Sequence, residues 1–228
     1  MTNYADKAVL FDMDGLMLDT ERIYVRVWQE AARDLGYDLG DELFVSFVGL
    51  SVVESERRLA RTAGDGFSIP AFRARWEELW RRYLDRDGIA VKPGLPPLLD
   101  WLDAAGAPRA VVTSTEAREA ADTLQRAGLA ARFQTVVSGD QVANGKPAPD
   151  IFLLGAQRLG VKAGRCIALE DSEAGVRAAH AAGMRVIMVP DLKPPSPEVR
   201  DLATAVVPTL HEALPLVQAW LRHGNGAA

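Results

Sequence analysis

The 228-residue chain has a single cysteine, Cys166. No disulfide can form within it, which removes small cross-linked scaffolds from consideration. Cys166 lies in the apolar stretch Cys166-Ile167-Ala168-Leu169 and reads as a buried structural thiol. Long apolar runs are missing too. No segment reads as a bilayer span, and the N-terminal apolar run is short and broken by acids, unlike a signal-peptide core. The cytoplasm is therefore the default location, with no membrane partner. Basic charge is not in excess: 26 Lys and Arg against 31 Asp and Glu give a net charge of −5, which leaves no electrostatic footprint for nucleic acid. The histidines His180, His211 and His223 are scattered and do not form a catalytic or metal-binding cluster in sequence.

What is present is ordinary globular composition, 48% apolar and 25% charged, in a repeated pattern. A helical stretch, a glycine and a short β-rich run recur. Gly106 precedes Ala110-Val111-Val112-Thr113, and Gly128 precedes Thr135-Val136-Val137-Ser138. Gly160 precedes Cys166 to Leu169, and Gly183 precedes Val186-Ile187-Met188-Val189. Glycines at these places suit helix C-caps, and short runs free of charge suit strands covered on both faces. With an upstream strand at Ala8-Val9-Leu10-Phe11, the pattern predicts a parallel sheet in a three-layer α/β/α Rossmannoid core. Residues 20–91 read differently. Helical stretches are expected over Ile23–Leu35, Val52–Ala63 and Ala71–Leu84, the last carrying Phe72, Trp76, Leu79, Trp80 and Tyr83 at helical spacing. That face reads as packing against another helix. The segment is thus an expected α-helical cap inserted in a catalytic core of residues 1–19 and 92–228, with hinges near Leu18–Glu21 and Val91–Gly94. The prolines of residues 190–197 predict a stiff surface loop.

In a parallel sheet, ligands gather beyond the C-terminal strand ends. The polar residues there are Asp12 and Asp14, Thr113 and Ser114, and Glu170 and Asp171, joined by Lys146 from a Gly-Lys-Pro loop. Asp12 and Asp14 are two apart and would crowd on one side of an extended chain, where they repel unless a cation or proton intervenes. An all-oxygen cluster that includes phosphate suits Mg²⁺. Such parts allow Asp12 to attack a phosphoryl group and Asp14 to shuttle the proton. Lys146, Thr113 and the Ser114 N–H would hold the phosphoryl oxygens. Duller readings stand beside these: Lys146 as a solvated loop lysine, Thr113 and Ser114 as strand-end residues, and Asp171 or Ser172 as a helix N-cap. Glu170 would serve the metal directly or through a neighbour.

The segment Phe11-Asp12-Met13-Asp14-Gly15 through Asp19-Thr20-Glu21 resembles the first signature of the haloacid-dehalogenase-like hydrolases, in the phosphatase and β-phosphoglucomutase-like branch. Val111-Val112-Thr113-Ser114, Gly145-Lys146-Pro147 and Leu169-Glu170-Asp171-Ser172 resemble the other three motifs, in order. The resemblance implies a nucleophile at Asp12 and a general acid/base at Asp14. It implies Mg²⁺ held by Asp12, the Asp14 carbonyl and Asp171 with help from Glu170, and phosphate contacts from Thr113 and Lys146. Thr20, Glu21 and Tyr24 join Ser114 as candidate substrate contacts. The substrate implied is a small phosphorylated metabolite, a sugar phosphate among the leading candidates, and a monomer is the default. A β-phosphoglucomutase-like phosphotransferase is the main alternative, but Val52 and Tyr24 stand where that enzyme has arginine and histidine. A non-catalytic phosphate-binding module is the other. Residues 20–90 contain no lysine, which argues against a phosphonatase.

Overall fold

A computed structural model describes residues 4–47, 50 and 52–223; Gly49 and Ser51, just before Val52, and the tail 224–228 lie outside the described residues. Strand β1 (Ala8–Phe11) leads into helices α1 (Glu21–Asp34), α2 (Asp41–Ser46), α3 (Val52–Ala63) and α4 (Ile69–Asp87). There follow α5 (Leu95–Ala105), β2 (Arg109–Val112), α6 (Ala117–Arg126), β3 (Thr135–Val137), α7 (Asp150–Arg158) and β4 (Cys166–Glu170). The chain ends with α8 (Glu173–Ala181), β5 (Arg185–Met188), α9 (Pro197–Leu202), β6 (Ala205–Val206) and α10 (Leu210–His223).

The strands form one parallel sheet in the order β3-β2-β1-β4-β5-β6. Parallel neighbours need long crossovers, so helices cover both faces. The alternation of side chains sorts the two layers. Val9, Phe11, Val111, Leu169 and Ile187 pack with Leu98, Leu124 and Val217 on one side. Ala8, Leu10, Val112, Ala168 and Val186 pack with Ile151, Phe152 and Val176 on the other. This is the expected three-layer α/β/α core. Strand β1 sits between β2 and β4, where the strand order reverses and a crevice opens beyond the C-terminal ends. The four helix-ending glycines all have positive φ, as the spacing predicts. Strand β6 and helices α2 and α10 carry no comparable signature and were not expected from the pattern.

Helices α1 to α4 form the cap and bury a cluster of their own. Phe72, Trp76, Leu79 and Trp80 are all buried in it, so the aromatic face of α4 does pack. Tyr24 of α1 stacks on Trp80 at 4.2 Å between centroids. Helix α4 starts earlier than its periodicity suggests because Ser68 caps it, accepting from Ala71 N at 3.3 Å, and Pro70 is harmless in the first turn. The two connections to the core run side by side. Leu18 and Val91 form an antiparallel bridge, Asp19 N donates to the Ala90 carbonyl at 2.9 Å and Lys92 N to the Met17 carbonyl at 2.8 Å. Lys92 Nζ also donates to Asp191 at 2.6 Å, and Arg22 donates to Asp19 at 2.7 Å and Asp191 at 3.0 Å. The proline-rich segment is thereby tied to both connections.

Cys166 is fully buried in the layer that holds Ile151, Phe152 and Val176, and burial pushes its thiol up to about 12. The thiolate is then scarcely populated near neutrality. Native protein at pH 8 is expected to resist iodoacetamide under conditions in which urea-unfolded protein is fully alkylated, as read by mass spectrometry. Rapid labelling of the folded chain would contradict this burial.

Candidate active site

Phe11 and Leu169 are partners in register, so the residues that follow them reach the same sheet edge. Asp12 N donates to the Leu169 carbonyl at 3.0 Å. One oxygen each from Asp12, Glu170 and Asp171 lie within 4.8 Å of one another, and all three residues are buried. Lys146 comes in from the loop before α7. Its Nζ donates to Asp12 Oδ1, to Glu170 Oε1 at 2.6 Å and to the Val112 carbonyl at 3.2 Å. It also lies 5.3 Å from the centre of the Phe152 ring. Lys146 is thus a buried ion-paired lysine and not a solvated loop residue.

The electrostatics follow from burial. Burial pushes the Asp12 carboxyl well above the usual carboxylate range; Lys146 pulls it back, while Glu170 and Asp14 push it further. Burial raises Asp171 in the same way, reinforced by Asp12 and Glu170. Burial works against the Lys146 ammonium, but Asp12 and Glu170 outweigh it and hold the group above its ordinary range. The cluster is short of positive charge. A hard divalent cation among these oxygens would relieve it, and the donor set fits one. Two glycines keep the space open. A Cβ on Gly15, where the chain turns at φ +80°, would stand 2.3 Å from Asp171 Oδ2. A Cβ on Gly175 would stand 1.9 Å from the Glu170 carboxyl.

Glu170 is fixed on its other oxygen as well. Oε2 accepts from Asp171 N at 3.1 Å, Ser172 N at 3.2 Å and Ser172 Oγ at 3.1 Å. Ser172 also caps α8, accepting from Gly175 N at 3.1 Å. The N-cap role therefore belongs to Ser172, and Asp171 faces the cavity.

Asp14 is held apart from the three-acid cluster. Its Oδ1 accepts from Thr20 Oγ1 at 2.7 Å; its Oδ2 accepts from Thr115 Oγ1 at 2.8 Å and Thr113 Oγ1 at 3.3 Å. Thr113 Oγ1 in turn accepts from Thr115 N at 3.1 Å. Three hydroxyls thus aim this carboxylate. Ser114, Glu21 and Tyr24 line the same cavity, whereas Thr20 is fully buried with its hydroxyl on Asp14. The Tyr24 hydroxyl donates to Glu119 Oε1 at 2.5 Å, linking α1 to α6. Sequence reasoning missed Thr115, Glu119 and the spatial need for Gly175. Thr115 is two residues beyond Thr113, and that spacing was the available signal; Glu119 sits in no motif and offered none.

Residues 7–183 match the family model described as "Hydrolase: haloacid dehalogenase-like hydrolase". The chain belongs to the haloacid dehalogenase-like hydrolase family. Among relatives of this hydrolase is the Thermotoga maritima "Phosphorylated carbohydrates phosphatase", 34% identical over 79% of this chain and 83% of that protein. The Drosophila melanogaster "Probable pseudouridine-5'-phosphatase" is 37% identical over 90% of each. In structure it is similar to CbbY from Rhodobacter sphaeroides in complex with phosphate, with a TM-score of 0.77 and 28% identity, covering 90% of this chain and 95% of the other. Among the described residues, no helix of this hydrolase is long and apolar enough to cross a membrane.

If the acids hold a divalent cation, binding must stabilise the fold. Titrating a divalent cation into metal-stripped protein to a hundred times its dissociation constant is expected to add about 2.7 kcal/mol. For a chain of this size that raises the melting temperature by roughly 5–10 °C. Asp171→Asn should remove most of the shift. An unchanged shift in that variant would place the cation elsewhere.

Proposed function

We propose that this hydrolase is a Mg²⁺-dependent phosphomonoesterase that acts on a small phosphorylated metabolite through an aspartyl-phosphate formed on Asp12. The observation that carries this reading is the division of labour between two acids two residues apart. Asp12 is buried beside Lys146 and the other acids, while Asp14 is turned away and aimed by hydroxyls. In this reading Mg²⁺, held by Asp12 and Asp171 with the Asp14 carbonyl, supplies the positive charge that lets a carboxylate meet an anionic ester. Glu170 serves indirectly, since both its oxygens are already engaged and it holds Lys146 in place.

The chain's own residues then account for the proton and the bonds. An Asp12 oxygen bonds to phosphorus as the ester P–O bond breaks, and Asp14 gives a proton to the departing alcohol oxygen. Asp14 next takes a proton from water, whose oxygen bonds to phosphorus and releases Asp12 and inorganic phosphate. Thr113, the Ser114 N–H and Lys146 stabilise the phosphoryl oxygens. Thr20 and Thr115 position Asp14. Glu21 and Tyr24 lie at the leaving-group end, under a cap of residues 20–91 that excludes water. Sugar phosphates are one candidate class, in keeping with the name of the Thermotoga relative. A phosphotransferase between sugar phosphates is disfavoured, because it must hold a second phosphate and Lys146 is the one cation among the described residues lining the cavity.

Phosphate release from p-nitrophenyl phosphate tests the reading. Turnover is expected with Mg²⁺ and to vanish after chelation. Asp12→Asn should lose more than about a thousandfold in kcat with an unchanged circular dichroism spectrum. Asp14→Asn should lose roughly a hundred- to ten-thousandfold. Normal release by the Asp12 variant, with deamidation excluded by mass, would sink the nucleophile assignment.

A further inference from the structure

The cap gives the cavity its roof and the core its floor, and Asp14 is held from both. Thr20, the N-cap of α1, donates to its Oδ1 at 2.7 Å from the cap side. Thr115, at the turn from β2 into α6, donates to its Oδ2 at 2.8 Å from the core side. The same two helices meet again further along. Tyr24 N donates to the Thr20 carbonyl at 2.9 Å, so Tyr24 stands one turn beyond Thr20 on α1. Glu119 stands in the first turn of α6. The Tyr24 hydroxyl donates to Glu119 Oε1 at 2.5 Å. Two rungs therefore join the start of α1 to the start of α6. One is Thr20–Asp14–Thr115 and the other is Tyr24–Glu119.

The second rung is stiff at its cap end. The Tyr24 ring lies 4.2 Å from that of Trp80 with 13° between their planes, and meets Trp76 edge-on at 6.0 Å. Both tryptophans are buried in the cap, so the hydroxyl moves with the cap as a body. Burial raises both the Tyr24 phenol and the Glu119 carboxyl; Glu119 adds to the first, Tyr24 opposes the second, and the Asp14 charge adds to both. The pair thus stands beside Asp14. Tyr24 lines the cavity, whereas Glu119 is not among the described residues that do. Glu119 can therefore act on the site only through Tyr24. Another contact between α6 and the cap, Arg126 to Asp85 at 2.7 Å, is exposed and contributes little.

We propose that Glu119 is a positioning residue for proton transfer by Asp14. Through the Tyr24 hydroxyl it pins the first turn of α1 to the first turn of α6, and so keeps Thr20 and Thr115 in place on the two sides of the Asp14 carboxylate. The proposal rests on the phosphomonoesterase reading above. Without the second rung, α1 can swing about Thr20 and the hydroxyl that aims Asp14 swings with it. The loss then falls on protonation of the leaving alcohol and spares the attack by Asp12.

The test uses the full chain with Mg²⁺ and compares kcat/KM, which reports phosphoryl transfer to Asp12, on benzyl phosphate and 4-nitrophenyl phosphate. Benzyl alcohol leaves readily only when Asp14 protonates it, whereas 4-nitrophenolate needs little help. Tyr24→Phe keeps the ring on Trp80 and removes the hydroxyl; Glu119→Ala removes its acceptor. Each should lower kcat/KM about tenfold on the benzyl ester and no more than about twofold on the nitrophenyl ester. The double variant should be no worse than either single one. Glu119→Gln keeps an acceptor and should return to within about threefold of wild type on the benzyl ester. Asp85→Asn, which breaks the exposed ion pair, should stay within about twofold on both esters. Equal losses on the two esters in a folded variant would make the pair a brace for the cap alone. That result would overturn the proposal and leave the phosphomonoesterase reading standing. Losses that multiply in the double variant, or an Asp85 variant that matches Tyr24→Phe, would overturn it in the same way. No release from either ester by wild-type protein would overturn the phosphomonoesterase reading and this proposal with it.

Discussion

One ammonium group makes the sheet edge possible. Lys146 sits between Asp12 and Glu170, and without it neither carboxylate could be buried charged beside the other. Its own position is set by Glu170, whose second oxygen is clamped by three donors at the turn from β4 into α8. The charge of the lysine, the geometry of that turn and the missing side chain of Gly175 are therefore one constraint. Burial pushes the Asp12 carboxyl toward its protonated form and Lys146 opposes that push, so the lysine's position bears directly on the charge of Asp12.

The fold supplies the address for this cluster. Because β1 is the strand at which the sheet order reverses, its C-terminal end opens into a crevice instead of running under a crossover. Asp12 comes from one strand and Glu170 and Asp171 from its neighbour. The threonines that hold Asp14 come from the turn after β2 and from the start of the cap. With Lys146 from the loop before α7, four stretches far apart in sequence meet at that point, as expected of a site built on strand ends.

Much of this was legible in the residues. Charge-free runs after glycines marked the buried strands, and acids at the ends of those runs marked the site. The signals are strong because full burial of a strand and an acid at its end are both unusual in composition. Strand β6 has two residues and too little pattern to be seen. Helix α10 contains Pro215, which breaks the usual helical reading. Thr115 was passed over although it repeats the spacing of Thr113, and Glu119 acts only through a partner on another helix. The cap aromatics were read correctly as packing on α4, but the sequence could not tell that Trp28, Phe44 and Phe47, on the other cap helices, turn toward the cavity. Which face of a small helical bundle meets a sheet edge depends on the crossing of the bundle over the core, and no local pattern encodes that.

The helical insert departs and returns through two strands of chain paired at Leu18 and Val91. Its ends are closed onto each other, so the core sees the same short boundary whatever the insert contains. Lengthening a helix or exchanging the roof residues alters nothing that β1 needs to pair with β2 and β4. The acids at the sheet edge and the helical insert above them thus occupy separable parts of the polypeptide, and the insert can diverge without disturbing the strands that carry the acids.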